Sequence, residues 1–484
     1  MNDQNPRQIA ARVLSQRLTS GEFTENLLEI ALAAARLSPA DRGLCHELVC
    51  GVVRWQATLD CLIARKTTPG RAQRPALQNL LRLGLYQIFW LDRIPPHAAV
   101  HETVEQARRS GYGHQSGFIN AVLRGCLREA DEIEKILADL KISQPALGWS
   151  HPEWLAEKWR KNFGDEKTRQ LLEWNNTPPK TFARVNTLKT DAGKLVERWR
   201  EENVEYDFFM RDWTGENLAF ELKSHPPLNS LPSFRDGWFY LQEPSTLLAP
   251  ILLDAQSNET ILDLCAAPGG KTTFIAQLLD DTGKIVAQDI APDRLKLIRE
   301  NCVRLGVSCV EAQVSEFVRP HPGPLPQERE KQLAASVSSP AVVANPAQDF
   351  ARTRQPFRPL PGGEGRGEGG PKHISLFDRI LIDAPCSNTG VMRRRVDLRW
   401  RISPEEILRL QKTQIELLNQ AATKLKPGGV LVYSTCSLEP EENSEVVQQF
   451  LAANAGFKLE TERQLLPFAD TVDGAYVARL KHSA

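Results

Sequence analysis

The chain has 484 residues, and its 60 Lys and Arg balance 60 Asp and Glu to a net charge of zero. With 41% hydrophobic and 25% charged residues it is composed like an ordinary globular protein, which excludes a mostly disordered chain, a collagen and a small disulfide scaffold. No apolar run approaches the roughly 20 residues that span a bilayer, and the opening MNDQNPRQIAARV lacks the apolar core of a secretory signal, so a cytoplasmic location is expected. The nine cysteines should then be reduced thiols. A nucleic-acid partner would have to be drawn by local basic patches, since the whole-chain field supplies no attraction.

Residues 1–140 carry helical spacing and almost no strand signal. Val13, Leu14, Leu18, Leu27, Leu28, Ala31, Leu32 and Ala35 recur at helical intervals, followed by Leu77, Leu80, Leu81, Leu83, Leu85, Ile88 and Phe89, and then by Phe118, Ile119, Val122 and Leu123. They predict an all-α domain. Residues 145–237 mix a Trp-rich helical stretch (Trp154, Trp159, Trp174) with the strand candidate FARVNT and a helix near 192–202, predicting a small α/β subdomain. From 238 to 484, strands TILDL, KIVAQDI, VSCVEAQV, FDRILIDAPC and VLVYSTCS alternate with helices, the pattern of a parallel, doubly wound sheet. Ser403-Pro404-Glu405-Glu406 opens a long helix with an N-cap, a first-turn proline and a capping-box glutamate. Leu408, Ile415, Leu418, Ala422 and Leu425 are its expected buried face, and Pro427-Gly428-Gly429 its stop. Residues 319–372 break this rhythm with RPHPGPLPQERE and PFRPLPGGEGRGEGG. They read as a disordered insertion, either an inert surface segment or an Arg/Gly tail for RNA, and are expected to be dispensable for stability and for activity.

Three motifs carry chemistry. Asp263-Leu264-Cys265-Ala266-Ala267-Pro268-Gly269-Gly270-Lys271-Thr272 follows a strand and opens a helix, where free backbone amides meet a polar ligand. A phosphate loop would need glycine five residues before Gly270, where Cys265 stands, so a nucleoside-cofactor loop is the better reading. Asp289, 20 residues after Gly269, ends the next strand, where ribose hydroxyls are gripped. Asp383-Ala384-Pro385-Cys386-Ser387 and Ser434-Thr435-Cys436-Ser437 each end a later strand, so two thiols and a carboxylate should converge at the ligand edge. No Cys pair has CxxC spacing and no His joins them, so no metal site is expected. Arg393, Arg394, Arg395, Arg399 and Arg401 could hold phosphates beside that edge, or form a solvated basic loop.

In this order, DLCAAPGGKT, LIDAPCS and YSTCS resemble the RsmB/Sun/nucleolar-protein family of RNA cytosine-C5 methyltransferases. DRGLCHELVCGVVRW, RIPPHAAVHETVEQAR and GFINAVLRG resemble the NusB-like helical domain of its bacterial small-subunit ribosomal RNA branch. The resemblance implies a Rossmann-like methyltransferase domain at 238–484 behind a NusB-like RNA-binding domain and a small RNA-binding subdomain. It implies S-adenosyl-L-methionine as cofactor, lined by Cys265, Ala266, Ala267, Pro268, Gly269, Gly270 and Lys271, with its ribose on Asp289 and Asp383 between cofactor and base. It also implies 16S ribosomal RNA as partner, Cys436 as nucleophile and Cys386 as the thiol that assists product release. Spacing alone treats the two cysteines alike. The family's acid at the end of strand three is missing from Glu311-Ala312-Gln313-Val314-Ser315. The alternatives are a methyltransferase for another RNA and a noncatalytic RNA-binding ribosome-assembly factor, though a noncatalytic relic should have lost Asp383, Cys386 or Cys436. A monomer without an obligate protein partner is expected, as is a fragment from about residue 145 that binds cofactor but methylates poorly.

Overall fold

The computed structural model describes residues 5–67, 73–315 and 376–483. The insertion expected at 319–372 lies outside the described residues. The N-terminal part is helical, as its spacing predicts. Pro6–Ser20 and Pro39–Arg54 start alike, with Asn5 and Ser38 as N-caps and proline in the first turn. Their Val13, Leu14, Leu48 and Val49 are buried against Leu81 and Leu85 of Pro75–Trp90 and Ile119 and Leu123 of Ser116–Arg128. Leu18, expected on the inner face, is instead 44% exposed.

Strands β1 (Thr181–Val185), β2 (Glu205–Phe209), β3 (Ala219–Ser224) and β4 (Phe239–Leu241) form an antiparallel sheet in the order β2-β3-β1-β4. The helix Ala192–Glu201 lays Leu195 and Trp199 on it, and the Trp199 ring meets Phe220 and Phe239 edge-on at 5.4 and 5.3 Å.

The larger sheet contains β5 (Thr260–Leu264), β6 (Lys284–Asp289), β7 (Val310–Val314), β8 (Phe377–Asp383), β9 (Leu425–Thr435), β10 (Phe457–Leu465) and β11 (Ala475–His482), ordered β10-β11-β9-β8-β5-β6-β7. The five strands β5–β9 are parallel, as predicted; β11 and β10 add an antiparallel edge that the motif pattern did not reveal. The chain runs outward from β5 through β6 to β7 and then starts again at β8 on the other side of β5. The crevice where such order reverses is where doubly wound sheets hold ligands.

The long helix is Pro404–Ala422, capped by Ser403. Its buried face is Ile407, Leu410, Gln414, Leu417, Leu418 and Ala421, whereas Leu408 is 51% exposed. Pro427-Gly428-Gly429 does not stop the helix. It lies inside β9, in a bulge between the Phe377↔Leu425 and Arg379↔Val430 pairs. Gly428 has φ +72°, and a Cβ on Gly429 would sit 2.7 Å from the Leu425 side chain.

Candidate active site

The candidate cofactor loop leaves β5 through Cys265, whose φ is +62°, and enters the helix Gly270–Leu278. Gly269 has φ +100° and packs on Ile298, where an added Cβ would come within 3.3 Å of backbone. The loop is pinned from outside by its carbonyls. Arg294 donates to Ala267 O at 2.9 Å, Asn301 to Pro268 O at 2.9 Å, and Arg184 of β1 to Gly270 O at 2.8 Å. Burial pulls the Arg184 guanidinium down to about 9, so it remains charged at neutral pH. The small subdomain thus reaches directly into the glycine-rich loop, a link that only Arg184 within FARVNT could have signalled.

Three carboxylates border the loop. Asp289 ends β6, nearly fully buried, and its Oδ2 accepts the Ala267 N–H at 3.2 Å. Asp263 accepts the Thr272 hydroxyl at 2.6 Å, while its other oxygen is buried without a partner. Asp383 ends β8 and accepts Lys271 Nζ at 2.6 Å. Burial works against the Lys271 charge, but the Asp383 carboxylate outweighs it and holds the ammonium above its ordinary range. The set carries more acceptors than donors. It fits a ligand that brings hydroxyls, an ammonium and a positive centre, as S-adenosylmethionine does. Gln313, the substitute for the missing acid on β7, spends its amide on Glu311 at 2.6 Å. Burial, reinforced by Asp289, pushes the Cys265 thiol up to about 12, which leaves it protonated.

Burial also pushes Asp263 up to about 7 from an ordinary 3.8. A carboxyl raised in the folded chain holds its proton more tightly there than in the unfolded chain, so its contribution is full below the ordinary value and is lost as pH rises through about 7. Asp263→Asn should therefore lose less stability than the ligand-free wild type between about pH 4 and 8, by roughly 1–3 kcal/mol. Denaturant unfolding at a series of pH values reads this directly, and equal slopes would place the titration elsewhere.

The two chemistry-bearing strands are in register, with Asp383 opposite Ser434. The Ser434 hydroxyl donates to Asp383 Oδ1 at 3.1 Å. The loops that follow bring Cys386 and Cys436 together, Sγ to Sγ 3.3 Å. Cys436 stays partly accessible, while Cys386 is buried. The neighbouring Cys436 sulfur, then burial, holds the Cys386 thiol well above its ordinary range and therefore protonated. Asn388, at φ +60°, was not singled out from sequence: its Oδ1 accepts from the Cys436 thiol at 2.9 Å and its Nδ2 donates to Cys386 O at 2.7 Å. Among the described residues no cluster of His, Cys, Asp and Glu has a metal-binding arrangement.

The arginine-rich loop is the chief correction. Of its five arginines only Arg395 is exposed; the other four are drawn onto protein partners rather than left solvated or free to hold phosphates. Arg393 pairs with Asp473 at 2.5 Å and lies over the Trp174 ring at 4.2 Å; Arg394 bonds Asp473 and Glu243. Arg399, fully buried, donates to the carbonyls of Arg54, Ser150 and Asn175 and to the Asn176 side chain. Asp397, also fully buried, accepts from Arg17 and from the Thr24 N–H, both at 2.5 Å. Arg401 donates to the carbonyls of Gly21 and Glu22. Val396 and Trp400 enter the N-terminal helical core, and Met392 and Leu398 pack with Trp159. The segment that begins six residues after Cys386, at Met392, thus fastens the helical domain to the sheet.

A family model described as 16S rRNA methyltransferase RsmB/F matches residues 250–323 and 365–481. The NusB family model matches residues 4–128, and a ferredoxin-like domain model of RsmF/B-like methyltransferases matches residues 151–209. The chain is 33% identical to a probable ribosomal RNA small subunit methyltransferase B of Synechocystis, over 98% of this chain and 99% of that one. It is 32% identical to the ribosomal RNA small subunit methyltransferase B of Escherichia coli, over 98% of each. A solved methyltransferase homologue from Pyrococcus horikoshii superposes with a TM-score of 0.51 at 28% identity, covering 70% of this chain and 97% of that one.

Proposed function

Because the chain belongs to the RsmB/F family of 16S ribosomal RNA methyltransferases, which are S-adenosylmethionine-dependent, we propose that it methylates carbon 5 of a cytosine in small-subunit ribosomal RNA through a covalent cysteine–cytosine adduct. The observation that carries this reading is the pair of thiols 3.3 Å apart at the strand ends beside the Asp383–Lys271 pair. The cofactor supplies an electrophilic methyl group. Residues 265–271 and Asp289 would hold it, with Asp383 between it and the base.

Carbon 5 of cytosine is too weak a nucleophile to take that methyl unaided. The Cys436 thiolate adds to carbon 6, the ring electrons shift toward nitrogen 3, and the Lys271–Asp383 pair supplies the proton that nitrogen 3 takes up. The resulting enamine is nucleophilic at carbon 5. After methylation a water molecule takes the carbon 5 proton, which restores the 5,6 double bond and expels Cys436 as thiolate, while nitrogen 3 returns its proton to the Lys271–Asp383 pair. The protonated Cys386 thiol, in contact with the departing sulfur, stabilises it as a hydrogen-bond donor. A base inside a duplex would have to be unstacked to reach this edge.

In this reading residues 1–140 and 145–237 contribute RNA affinity and target choice to the chemistry of 238–484, in a cytoplasmic monomer. Among the described residues no helix is long and apolar enough to cross a membrane. Bisulfite sequencing of ribosomal RNA from cells with and without this gene tests the activity, and an unchanged cytosine pattern ends the proposal. Asp383→Asn should slow adduct formation by roughly 100-fold or more, because the amide cannot pass on a proton. Full activity in that variant would leave Asp383 only a positioning role.

A further inference from the structure

We infer that Glu442 is the positioning residue that sets the spacing of the two thiols. It is fully buried in the 3-10 turn Pro440–Glu442 after β9. Its carboxylate joins the two loops through the residues that follow each cysteine. Oε1 accepts the Ser387 N–H at 2.8 Å, and Oε2 accepts the Ser437 hydroxyl at 2.5 Å and also the Ser387 hydroxyl. The two hydroxyls are themselves 3.1 Å apart.

The grip is braced from three further sides. Gln414 of the long helix donates to Glu442 Oε1 at 3.2 Å and to Pro385 O, one residue before Cys386, at 2.9 Å. The Tyr433 hydroxyl of β9 donates to the Glu442 carbonyl at 2.6 Å. Between the loops, the Gly390 N–H donates to Cys436 O at 2.9 Å, and a Cβ on Gly390 would meet that oxygen at 2.7 Å. A carboxylate buried this deeply is costly to desolvate. Burial raises Glu442 to about 7 against the hydrogen bonds of Ser387, Ser437 and Gln414, so it is stored at the site against its solvation preference. What that arrangement does is hold two separate loops, 50 residues apart in sequence, so that their sulfurs touch. It accounts for Ser387 and Ser437, which the chemistry itself leaves without a role.

The inference rests on the covalent reading for its purpose but not for its test. The full-length wild type, Glu442→Ala, Glu442→Gln and Ser437→Ala would be treated with dibromobimane without RNA or cofactor. In the crosslink each thiol gives up its proton to the buffer as its sulfur displaces one bromide, and the bridged Cys386–Cys436 peptide pair is quantified by mass spectrometry. Wild type should crosslink. Glu442→Ala should crosslink and turn over roughly 10- to 100-fold more slowly, with the KM for RNA and cofactor affinity changed by no more than about twofold. Glu442→Gln, which keeps the shape and can still bridge both serines, should recover most of the loss. If Glu442→Ala does not fold, Ser437→Ala, which cuts one arm only, should show a smaller loss of the same kind. A folded variant that crosslinks as fast as wild type, or a wild type that does not crosslink, overturns the inference. A wild type that crosslinks yet leaves cytosine unmethylated would instead defeat the proposed reaction and leave Glu442 in its role.

Discussion

Cys436→Ala should be inactive, losing roughly a thousandfold or more in rate, and should form no covalent complex with RNA. Cys386→Ala should behave differently. Its Cys436 can still attack carbon 6 and the base can still take the methyl group, but the departing sulfur has lost the donor that lay 3.3 Å away. The adduct should then persist as a slow-migrating band on a denaturing gel with substrate RNA and S-adenosylmethionine. A band with Cys436→Ala and none with Cys386→Ala would exchange the two roles. Activity retained in both, without a band, would remove covalent catalysis altogether.

Arg399→Ala should cost about 3–5 kcal/mol of stability. The guanidinium is fully buried, and its removal strands the carbonyls of Arg54, Ser150 and Asn175, which lie on the helical domain and the stretch after it. Denaturant unfolding measures the loss; a change below about 1 kcal/mol would mean that water replaces the side chain at those carbonyls. The same contacts change what a fragment from about residue 145 should do. Deleting the helical domain uncovers Val396 and Trp400 and takes Arg17 away from Asp397. The fragment should aggregate or unfold rather than survive as a cofactor-binding enzyme with weak RNA affinity.

The sheet and its ligand edge were legible because each motif sits at the end of an apolar strand, where periodicity and chain punctuation agree. Asp289, Asp383 and Cys436 lie at the strand ends where TILDL, KIVAQDI, FDRILIDAPC and VLVYSTCS put them. Two kinds of feature were not legible. The β10–β11 edge is antiparallel, and half of β10 is exposed, so its alternation carries little signal. The polar network behind the thiols joins Glu442 to Ser387 across 55 residues, and no local spacing encodes a contact at that distance. The arginine loop was misread because charge was weighed and the residues between the charges were not. Met392, Val396, Leu398 and Trp400 alternate with the arginines, and a run that apolar belongs to an interior, with the guanidiniums serving backbone carbonyls as they enter.

The fastening of the helical domain by residues 396–401 has a consequence in time. Arg17 and Asp397 are 380 residues apart in the chain. At about 5–20 residues per second, translation delivers the second partner roughly 20 to 75 seconds after the first. During that interval the nascent helical bundle carries an open slot where Trp400 will lie, with Arg17 lacking its buried carboxylate. The bundle closes only when the segment behind Cys386 has been made, so completion of the N-terminal domain and assembly of the thiol loops fall at the same stage of synthesis.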